Sequence, residues 1–313
     1  MNKISRLWAL VITISVLALG AVVANSNSPS NAEGGCTGKA YVTNFGANTV
    51  SVINTATNAV VGSAIPVGAG PTGVAITPDG TKAYVGNEGA NTVSVIDTAT
   101  DAVVGSAIPV GSVPSDIAIT PDGTKAYVTN ANADTVSVIN TATNAVVGSA
   151  IPVGSVPIGI AITPDGTKAY VTNQNADTVS VINTATNAVV GSAIPVGSVP
   201  FGIAITPDGT KAYVTNFVDD TVSVIDTATN TVVGSAIPVG DAPRDIAITP
   251  DGTKAYVTNQ DADTVSVIDT ATNTVVGSPI TVGDVPFGIA ICPAAVVPPT
   301  TPTDPAVVLK FTG

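Results

Sequence analysis

Apolar and polar residues alternate along short runs of this chain, as they do in β-strands that bury one face. Residues 168–173 read KAYVTN and residues 178–183 read TVSVIN. A run at residues 159–163 (GIAIT) precedes them, and a run at residues 188–197 (AVVGSAIPVG) follows them. The 3.6-residue period of helical repeats is absent. Each unit of about 40 residues therefore predicts four antiparallel strands.

Turn residues separate the four runs. Thr-Pro-Asp-Gly at residues 163–166 joins the first run to the second. Pro164 presets φ at the second position of this turn, and Gly166 accepts a positive φ. A short polar loop joins the second run to the third, and TATN at residues 184–187 joins the third to the fourth. These connections are short enough for consecutive strands to pair.

The unit recurs with a fixed period. All the tyrosines of the protein lie 43 residues apart, one in the second strand of each unit. They are Tyr41, Tyr84, Tyr127, Tyr170, Tyr213 and Tyr256. Four strands in a repeat of this length are typical of a propeller blade, whereas a β-solenoid would need shorter coils. We predict an all-β fold, a six-bladed β-propeller of four-stranded antiparallel blades over residues 36–292.

The repeat starts and ends inside a blade. It begins at a second strand, residues 39–44, and ends at a first strand, residues 288–292. Pairing these two segments would make a composite blade from both chain ends, close the ring and remove two exposed edges. Cys36 and Cys292 would then lie across one tight turn, within disulfide range. With no third cysteine, an oxidising compartment would favour this bond, and a redox or metal role is the alternative.

The repeated motifs resemble those of the YVTN family of β-propeller repeat proteins. PDGTKAYVTN, DTVSVIDTATN and VVGSAIPVG match the family's repeat along residues 36–292. Members of that family are surface-layer and surface-antigen proteins of archaea and secreted or envelope proteins of bacteria. The resemblance therefore implies a protein of one of these kinds. Many propellers of that family have seven blades, whereas the repeats of this chain predict six blades. The resemblance implies no catalytic residue, because the shared residues form strands and turns.

Charge and the chain ends indicate an exported protein. The net charge of −12 argues against nucleic acid as a partner, because phosphate binding needs clustered lysine and arginine. Residues 1–24 combine a basic start, an apolar run and small residues, which is typical of a signal peptide. An uncleaved amino-terminal anchor is the alternative. Residues 25–35 are predicted to be a spacer and residues 293–313 a Pro/Thr-rich tail. We expect a secreted or cell-envelope protein whose mature domain does not insert into a membrane.

The sequence offers few residues for chemistry. It contains no histidine, which removes the commonest metal ligand and the usual acid–base group at neutral pH. Propeller lyases that resemble this fold use histidine and glutamate on the channel face, and this chain has two glutamates, one of them Glu88. The acidic pairs at residues 219–220 and 261–263 lack the glycine and glutamate of an EF-hand loop. Asp116 and Asp245 are the paired carboxylates that remain as candidates for general acid–base catalysis. We predict no enzyme, no catalytic residue, no metal and no cofactor.

Two positions vary among units that are otherwise nearly identical. One follows the proline that opens the first strand, and the other begins the loop between the second and third strands. The first set is Thr72, Ser115, Ile158, Phe201, Arg244 and Phe287. The second set is Phe45, Glu88, Ala131, Gln174, Phe217 and Gln260. Both sets belong to one face of the propeller, as two concentric rings around the channel mouth.

Exposed aromatic residues beside acids and one arginine are typical of a recognition surface. We therefore predict a non-catalytic, monomeric binding scaffold for an extracellular protein or glycan. The predicted binding residues are Phe45, Glu88, Phe201, Phe217, Arg244, Gln260 and Phe287. The alternative is that each phenylalanine packs against a neighbouring blade. A structural component of a surface layer or envelope is the second candidate function, and an enzyme is the third.

Overall fold

The computed structural model describes the backbone of Val22–Val23 and residues 38–291. These residues form six antiparallel sheets in chain order. The first sheet contains β1 (Val22–Val23), β2 (Lys39–Asn44), β3 (Thr49–Asn54) and β4 (Ala59–Pro66). Short 3-10 helices, Phe45–Ala47 and Glu88–Ala90, follow the second strands of the first two sheets.

The other five sheets have five strands each, because in these units the fourth run divides into two short strands, whereas in the first sheet it is the single strand β4. The second sheet contains β5 (Pro71–Ile76), β6 (Lys82–Asn87), β7 (Thr92–Asp97), β8 (Ala102–Val103) and β9 (Ile108–Pro109). The third contains β10 (Pro114–Ile119), β11 (Lys125–Asn130), β12 (Thr135–Asn140), β13 (Ala145–Val146) and β14 (Ile151–Pro152). The fourth contains β15 (Pro157–Ile162), β16 (Lys168–Asn173), β17 (Thr178–Asn183), β18 (Ala188–Val189) and β19 (Ile194–Pro195).

The last two sheets repeat this arrangement. The fifth contains β20 (Pro200–Ile205), β21 (Lys211–Asn216), β22 (Thr221–Asp226), β23 (Thr231–Val232) and β24 (Ile237–Pro238). The sixth contains β25 (Pro243–Ile248), β26 (Lys254–Asn259), β27 (Thr264–Asp269), β28 (Thr274–Val275) and β29 (Ile280–Thr281). The all-β character, the four runs per unit and the propeller-type sheets predicted from the sequence are confirmed.

Both faces of the central strands are buried in the second to fifth sheets, since each of these sheets packs against two others. In the third sheet, Ala126 and Val128 pack toward the second sheet, whereas Tyr127 and Val138 pack toward the fourth. All four side chains have at most 1% of their surface exposed. The alternation in the sequence therefore separates two packed faces rather than a core face from a solvent face.

The repeated tyrosines and lysines join each sheet to the next. The Tyr170 hydroxyl donates to Asn230 Oδ1 at 2.6 Å and to the Thr227 carbonyl at 3.2 Å. Lys168 Nζ donates to the same carbonyl at 2.6 Å. Asn230 has a positive φ of 55°, which orients it at the end of the TATN turn. The uniform motifs of the sequence therefore form the interfaces between sheets.

The ring does not close as predicted. The free edge of β2 pairs with β1, with Val22 opposite Thr43 and Val23 opposite Val42, and not with residues 288–292. Residues 282–291 belong to no strand. Within the described part of the chain, no strand of the sixth sheet pairs with a strand of the first. The predicted composite blade is therefore wrong for this structure, because β1 already satisfies the edge that the composite blade needs.

Several predictions fall on residues that lie outside the described ones. Cys36 and Cys292 are among them, so their disulfide stays a prediction. The spacer at 25–35, the tail at 293–313 and all of residues 1–24 except Val22–Val23 are outside as well. In the residues that are described, no helix has the length and apolar character that a membrane span requires.

Candidate functional site

The first strands of the sheets surround the centre of the molecule. β5, β10, β15, β20 and β25 contact one another in chain order, as the innermost strands of a propeller do. Each contains a β-bulge after its opening proline. In the third sheet, Pro114 opposes Asn130 and Ile117 opposes Val128, so two residues of β10 face one residue of β11. Such bulges redirect side chains and are common beside active sites.

Two of the bulges carry aspartate where the corresponding position of the other units is glycine. They are Asp116 in β10 and Asp245 in β25. Asp116 Oδ1 accepts a hydrogen bond from Ile117 N at 2.8 Å, and its Oδ2 accepts one from Ile160 N of the next sheet at 3.1 Å. Asp245 accepts from Ile246 N at 2.8 Å and from Ile289 N at 3.0 Å. Both carboxylates are therefore held rigidly at the channel wall.

The surroundings of these aspartates favour their protonated forms. Removal from bulk water raises the pKa of Asp116 to about 7, and the negative charge of Asp245 contributes to the increase. The same desolvation raises the pKa of Asp245 to about 6, against the opposing effect of Arg244. Both side chains remain partly exposed. Asp116 can therefore exchange a proton near neutral pH, which suits a general acid or base.

Arg244 lies between two aromatic rings at the channel mouth. Its Cζ atom is 3.5 Å from the ring centroid of Phe287 and 4.7 Å from that of Phe201. Its Nη1 donates to Gln260 Oε1 at 2.8 Å. Burial lowers the pKa of Arg244 to about 9, and Asp245 opposes that decrease. Stacking between the two rings restricts the motion of this cation, which lies near the Asp245 carboxylate.

Five of the seven predicted binding residues form one cluster. The rings of Phe201 and Phe217 are 5.2 Å apart, and Phe201 also contacts Arg244. Arg244 joins Phe287 and Gln260 to this cluster. We name these five residues the arginine cluster.

Phe45 and Glu88 lie elsewhere, at the first and second sheets. Each opens a 3-10 helix after its second strand. Gly70 connects them, because Glu88 N donates to its carbonyl at 2.8 Å and a Cβ at Gly70 would lie 3.2 Å from the Phe45 ring. Burial raises the pKa of Glu88. No described contact joins this pair to the arginine cluster, so the predicted rings are not one continuous surface.

The predicted exposure of the aromatic residues is wrong in two cases. Phe201 and Phe217 are each 6% exposed and pack with Ala242 of the next unit. The alternative, that phenylalanine packs between blades, holds for these two residues.

Asp116 and Asp245 were visible in the sequence as departures from a repeated glycine. Their raised pKa values were not, because desolvation comes from neighbouring sheets that are distant in the sequence.

The sequence of the propeller matches a known enzyme family. Residues 36–192 and 191–278 match the family described as "Lactonase, 7-bladed beta-propeller". The chain belongs to this lactonase family. The predictions of a non-catalytic binding scaffold and of no enzyme are therefore wrong. The surface-layer interpretation also lacks support from this match. Members are described as seven-bladed, whereas the described residues of this lactonase-family chain form six sheets.

Solved structures share the propeller fold of this lactonase-family chain at low sequence identity. Hydrazine synthase of Kuenenia stuttgartiensis has a TM-score of 0.76 and 23% identity, covering 90% of this chain and 92% of that chain. A protein of unknown function from Desulfotomaculum acetoxidans has a TM-score of 0.73 and 22% identity, with coverages of 89% and 90%. A protein provisionally assigned as 6-phosphogluconolactonase from Bacteroides fragilis has a TM-score of 0.68 and 21% identity, with coverages of 80% and 83%. No curated protein matches the chain.

The aspartate at the channel wall should make stability depend on pH. The native state holds the Asp116 proton up to pH about 7, whereas an unfolded chain releases it near the ordinary value of 3.8. Between these values the native state binds more protons, so its stability falls as pH rises. Replacing Asp116 with glycine should reduce this slope, and the raised pKa of Asp245 should leave part of it in place. Urea unfolding at about pH 5 and about pH 8 measures it, and equal pH dependence of both proteins would contradict the raised pKa.

Proposed function

We propose that this protein hydrolyses a lactone at the channel mouth, with Asp116 as the general base. The observation that carries the proposal is an aspartate in place of a repeated glycine, with a pKa of about 7, at the centre of a lactonase-family propeller. A general base works best when its pKa lies near the working pH. Among the described residues, no cluster of three or more histidine, cysteine, aspartate or glutamate side chains could hold a metal ion. The proposal therefore uses side chains alone.

In the proposed reaction, the Asp116 carboxylate removes a proton from a water molecule. The water oxygen attacks the lactone carbonyl carbon, and a tetrahedral oxyanion forms. The ring C–O bond then breaks, and the leaving alkoxide takes the proton back from Asp116. Lactone and water become one hydroxycarboxylic acid, and Asp116 returns to its charged form. Asp245 contributes through its negative charge, which raises the pKa of Asp116.

Arg244 is the proposed donor for the oxyanion and for the product carboxylate. An arginine side chain has five N–H groups, and in the described structure one of them is engaged, by Gln260. The remaining groups can donate charge-assisted hydrogen bonds. Stacking against Phe201 and Phe287 fixes the guanidinium plane before a substrate binds. We expect preorganisation of this kind to stabilise developing negative charge.

The charges around the channel favour an uncharged lactone over a phosphorylated one. The protein has ten basic residues against 22 acidic ones. Five of the repeat lysines donate to threonine carbonyls of the next sheet. They are Lys39, Lys82, Lys125, Lys168 and Lys211. A lysine is the first residue of each second strand, beside the turns on the face opposite the varied loops. Arg244 is therefore the one basic residue of the repeat at the channel mouth.

We also propose that the enzyme acts outside the cytoplasm, in line with its predicted signal peptide.

A pH-stat assay of the purified protein tests this proposal. Glucono-δ-lactone serves as the uncharged substrate, and its 6-phosphate serves as the charged one. We expect hydrolysis above the spontaneous rate, with a higher kcat/KM for the uncharged lactone. Asp165→Asn, which changes a turn on the opposite face, is the control and should keep the activity. No hydrolysis of any lactone above the spontaneous rate would contradict the proposed function, and preference for the phosphate would contradict the substrate class.

A further inference from the structure

We infer that Glu88 selects the substrate by accepting a hydrogen bond from the free hydroxyl group that a sugar lactone carries at the end of its carbon chain. In glucono-δ-lactone this is the hydroxyl of the last carbon, where the 6-phosphate carries its phosphate group instead. Glu88 is thus a specificity-determining residue, and the substrate class is an unphosphorylated sugar lactone. The inference rests on the proposed function, because it concerns the same site.

The large side chains of the channel mouth are concentrated at the fifth and sixth sheets. The arginine cluster lies there, with Arg244 stacked against Phe201. In the second and third sheets, the residues that follow the opening proline are Thr72 and Ser115. These side chains are short and partly exposed. Room for a substrate therefore remains on the side of the mouth that contains Asp116.

The repeat directs the Glu88 side chain toward this room. Its counterparts in the fifth and sixth sheets are Phe217 and Gln260. Each contacts the residue after the opening proline of its own unit, with ring centroids 5.2 Å apart in the fifth sheet and a hydrogen bond of 2.8 Å in the sixth. The backbone N–H of all three donates to the carbonyl of the residue before that proline, at 2.8–3.0 Å. Glu88 therefore extends over Thr72, a short side chain, toward the mouth.

One short segment links Glu88 with the proposed base. Glu88 N donates to the Gly70 carbonyl at 2.8 Å, and three residues later a Cβ at Gly73 would lie 3.1 Å from Asp116 Oδ1. Three residues of extended chain span about 11 Å at most. A six-carbon lactone and the Glu88 side chain together cover this distance. A substrate whose carbonyl carbon lies beside Asp116 can therefore present its far hydroxyl to Glu88.

The Glu88 carboxylate is available to a substrate. Glu88 is half-buried, and among the residues that the structure describes no donor contacts its carboxylate. Burial raises its pKa, because removal from water disfavours the charged form. A desolvated carboxylate is stabilised when a hydroxyl donates to it, and it repels a phosphate group. The same residue therefore favours the free sugar lactone and disfavours the phosphorylated one.

Kinetics of Glu88→Gln and Glu88→Lys, with glucono-δ-lactone and its 6-phosphate as probes, test the inference. We expect the ratio of kcat/KM for the phosphate to kcat/KM for the free lactone to rise by about tenfold or more in Glu88→Gln, and further in Glu88→Lys. Asp165→Asn also removes one negative charge, but from the opposite face, and is the matched control. Its ratio should equal that of the unchanged protein, which separates the local effect of Glu88 from the loss of net charge.

A second comparison tests the hydrogen bond to the hydroxyl. δ-Valerolactone has a lactone ring without hydroxyl groups. In Glu88→Ala, the preference for glucono-δ-lactone over δ-valerolactone should fall by about tenfold or more, as expected when a hydrogen bond to a charged group is lost. Circular dichroism checks the fold of every variant.

The two proposals fail in different ways. Hydrolysis of the free lactone with the same ratios in the unchanged protein and in all three Glu88 variants would overturn the role of Glu88 and leave the proposed function in place. A rise in the phosphate ratio that is as large in Asp165→Asn as in Glu88→Gln would also overturn it. No hydrolysis of any lactone by the unchanged protein would contradict both proposals.

Discussion

Replacing Asp116 with glycine is expected to lower kcat/KM for lactone hydrolysis by about 100- to 10,000-fold, the usual contribution of a general base. Asp116 is the carboxylate whose pKa of about 7 matches neutral working conditions. Glycine is the residue that four other units have at this position, so the propeller should keep its fold. Water would then lose its proton acceptor, while Arg244 and the aromatic residues of the cluster stay in place.

Two further variants make this result specific. Asp116→Asn keeps the size of the side chain and should lose activity to a similar extent. Asp245→Asn removes the negative charge that helps to raise the pKa of Asp116, so its pH–activity profile should shift to lower pH. Circular dichroism of every variant checks the fold. A folded Asp116→Gly protein with undiminished kcat/KM would show that Asp116 is not the base.

Replacing Tyr170 with alanine is expected to destabilise the protein by about 3–5 kcal/mol, the range for a large buried aromatic side chain. Tyr170 is completely buried and packs with residues of the fourth and fifth sheets. Its hydroxyl donates to Asn230 Oδ1 and to the Thr227 carbonyl of the next sheet. Truncation leaves a cavity in an interface between sheets and removes one of the two donors of each acceptor, since Lys168 Nζ also donates to both. Urea or thermal unfolding measures the loss.

The repeat supplies a matched control for this prediction. Tyr256→Ala in the full-length chain removes the same side chain from the same motif at the open end of the sheet array. Because Tyr256 is partly exposed and no interaction with an acceptor is described for its hydroxyl, the cost should be clearly smaller. Tyr170→Phe should cost about 1 kcal/mol, which separates the hydrogen bonds from the packing. Equal losses for Tyr170→Ala and Tyr256→Ala would contradict the open ring of the full-length chain.

Local sequence predicts the strands and turns of this protein well. Gly166 has a φ of 72° and donates to the Thr163 carbonyl at 2.8 Å, as the Thr-Pro-Asp-Gly motif indicates. Ring closure depends on more than local sequence. PFGIAI is a strand at residues 200–205 and is outside any strand at residues 286–291, because pairing requires a free neighbouring edge. The sequence of the hexapeptide alone therefore does not determine whether it forms a strand or which strand it pairs with.

The site was partly predictable. Variation among the units identified Arg244, Gln260 and the phenylalanines that cluster with them, because the repeat makes departures visible without any other sequence. The same comparison shows aspartate in place of glycine at residues 116 and 245, but it does not show what burial does to their pKa values. Burial of Phe201 also depends on contacts with the next unit, about 43 residues away, which composition and spacing do not define.

The pH dependence of kcat/KM for an uncharged lactone, measured for the unchanged protein and for Asp116→Asn, tests the central claim most directly. A general base must be ionised to act, so activity of the unchanged protein should rise with pH and level off above an apparent pKa of about 7. The variant should lose this transition together with most of its activity. A transition near pH 7 that persists in a folded, active Asp116→Asn protein would contradict the assignment of Asp116 as the base.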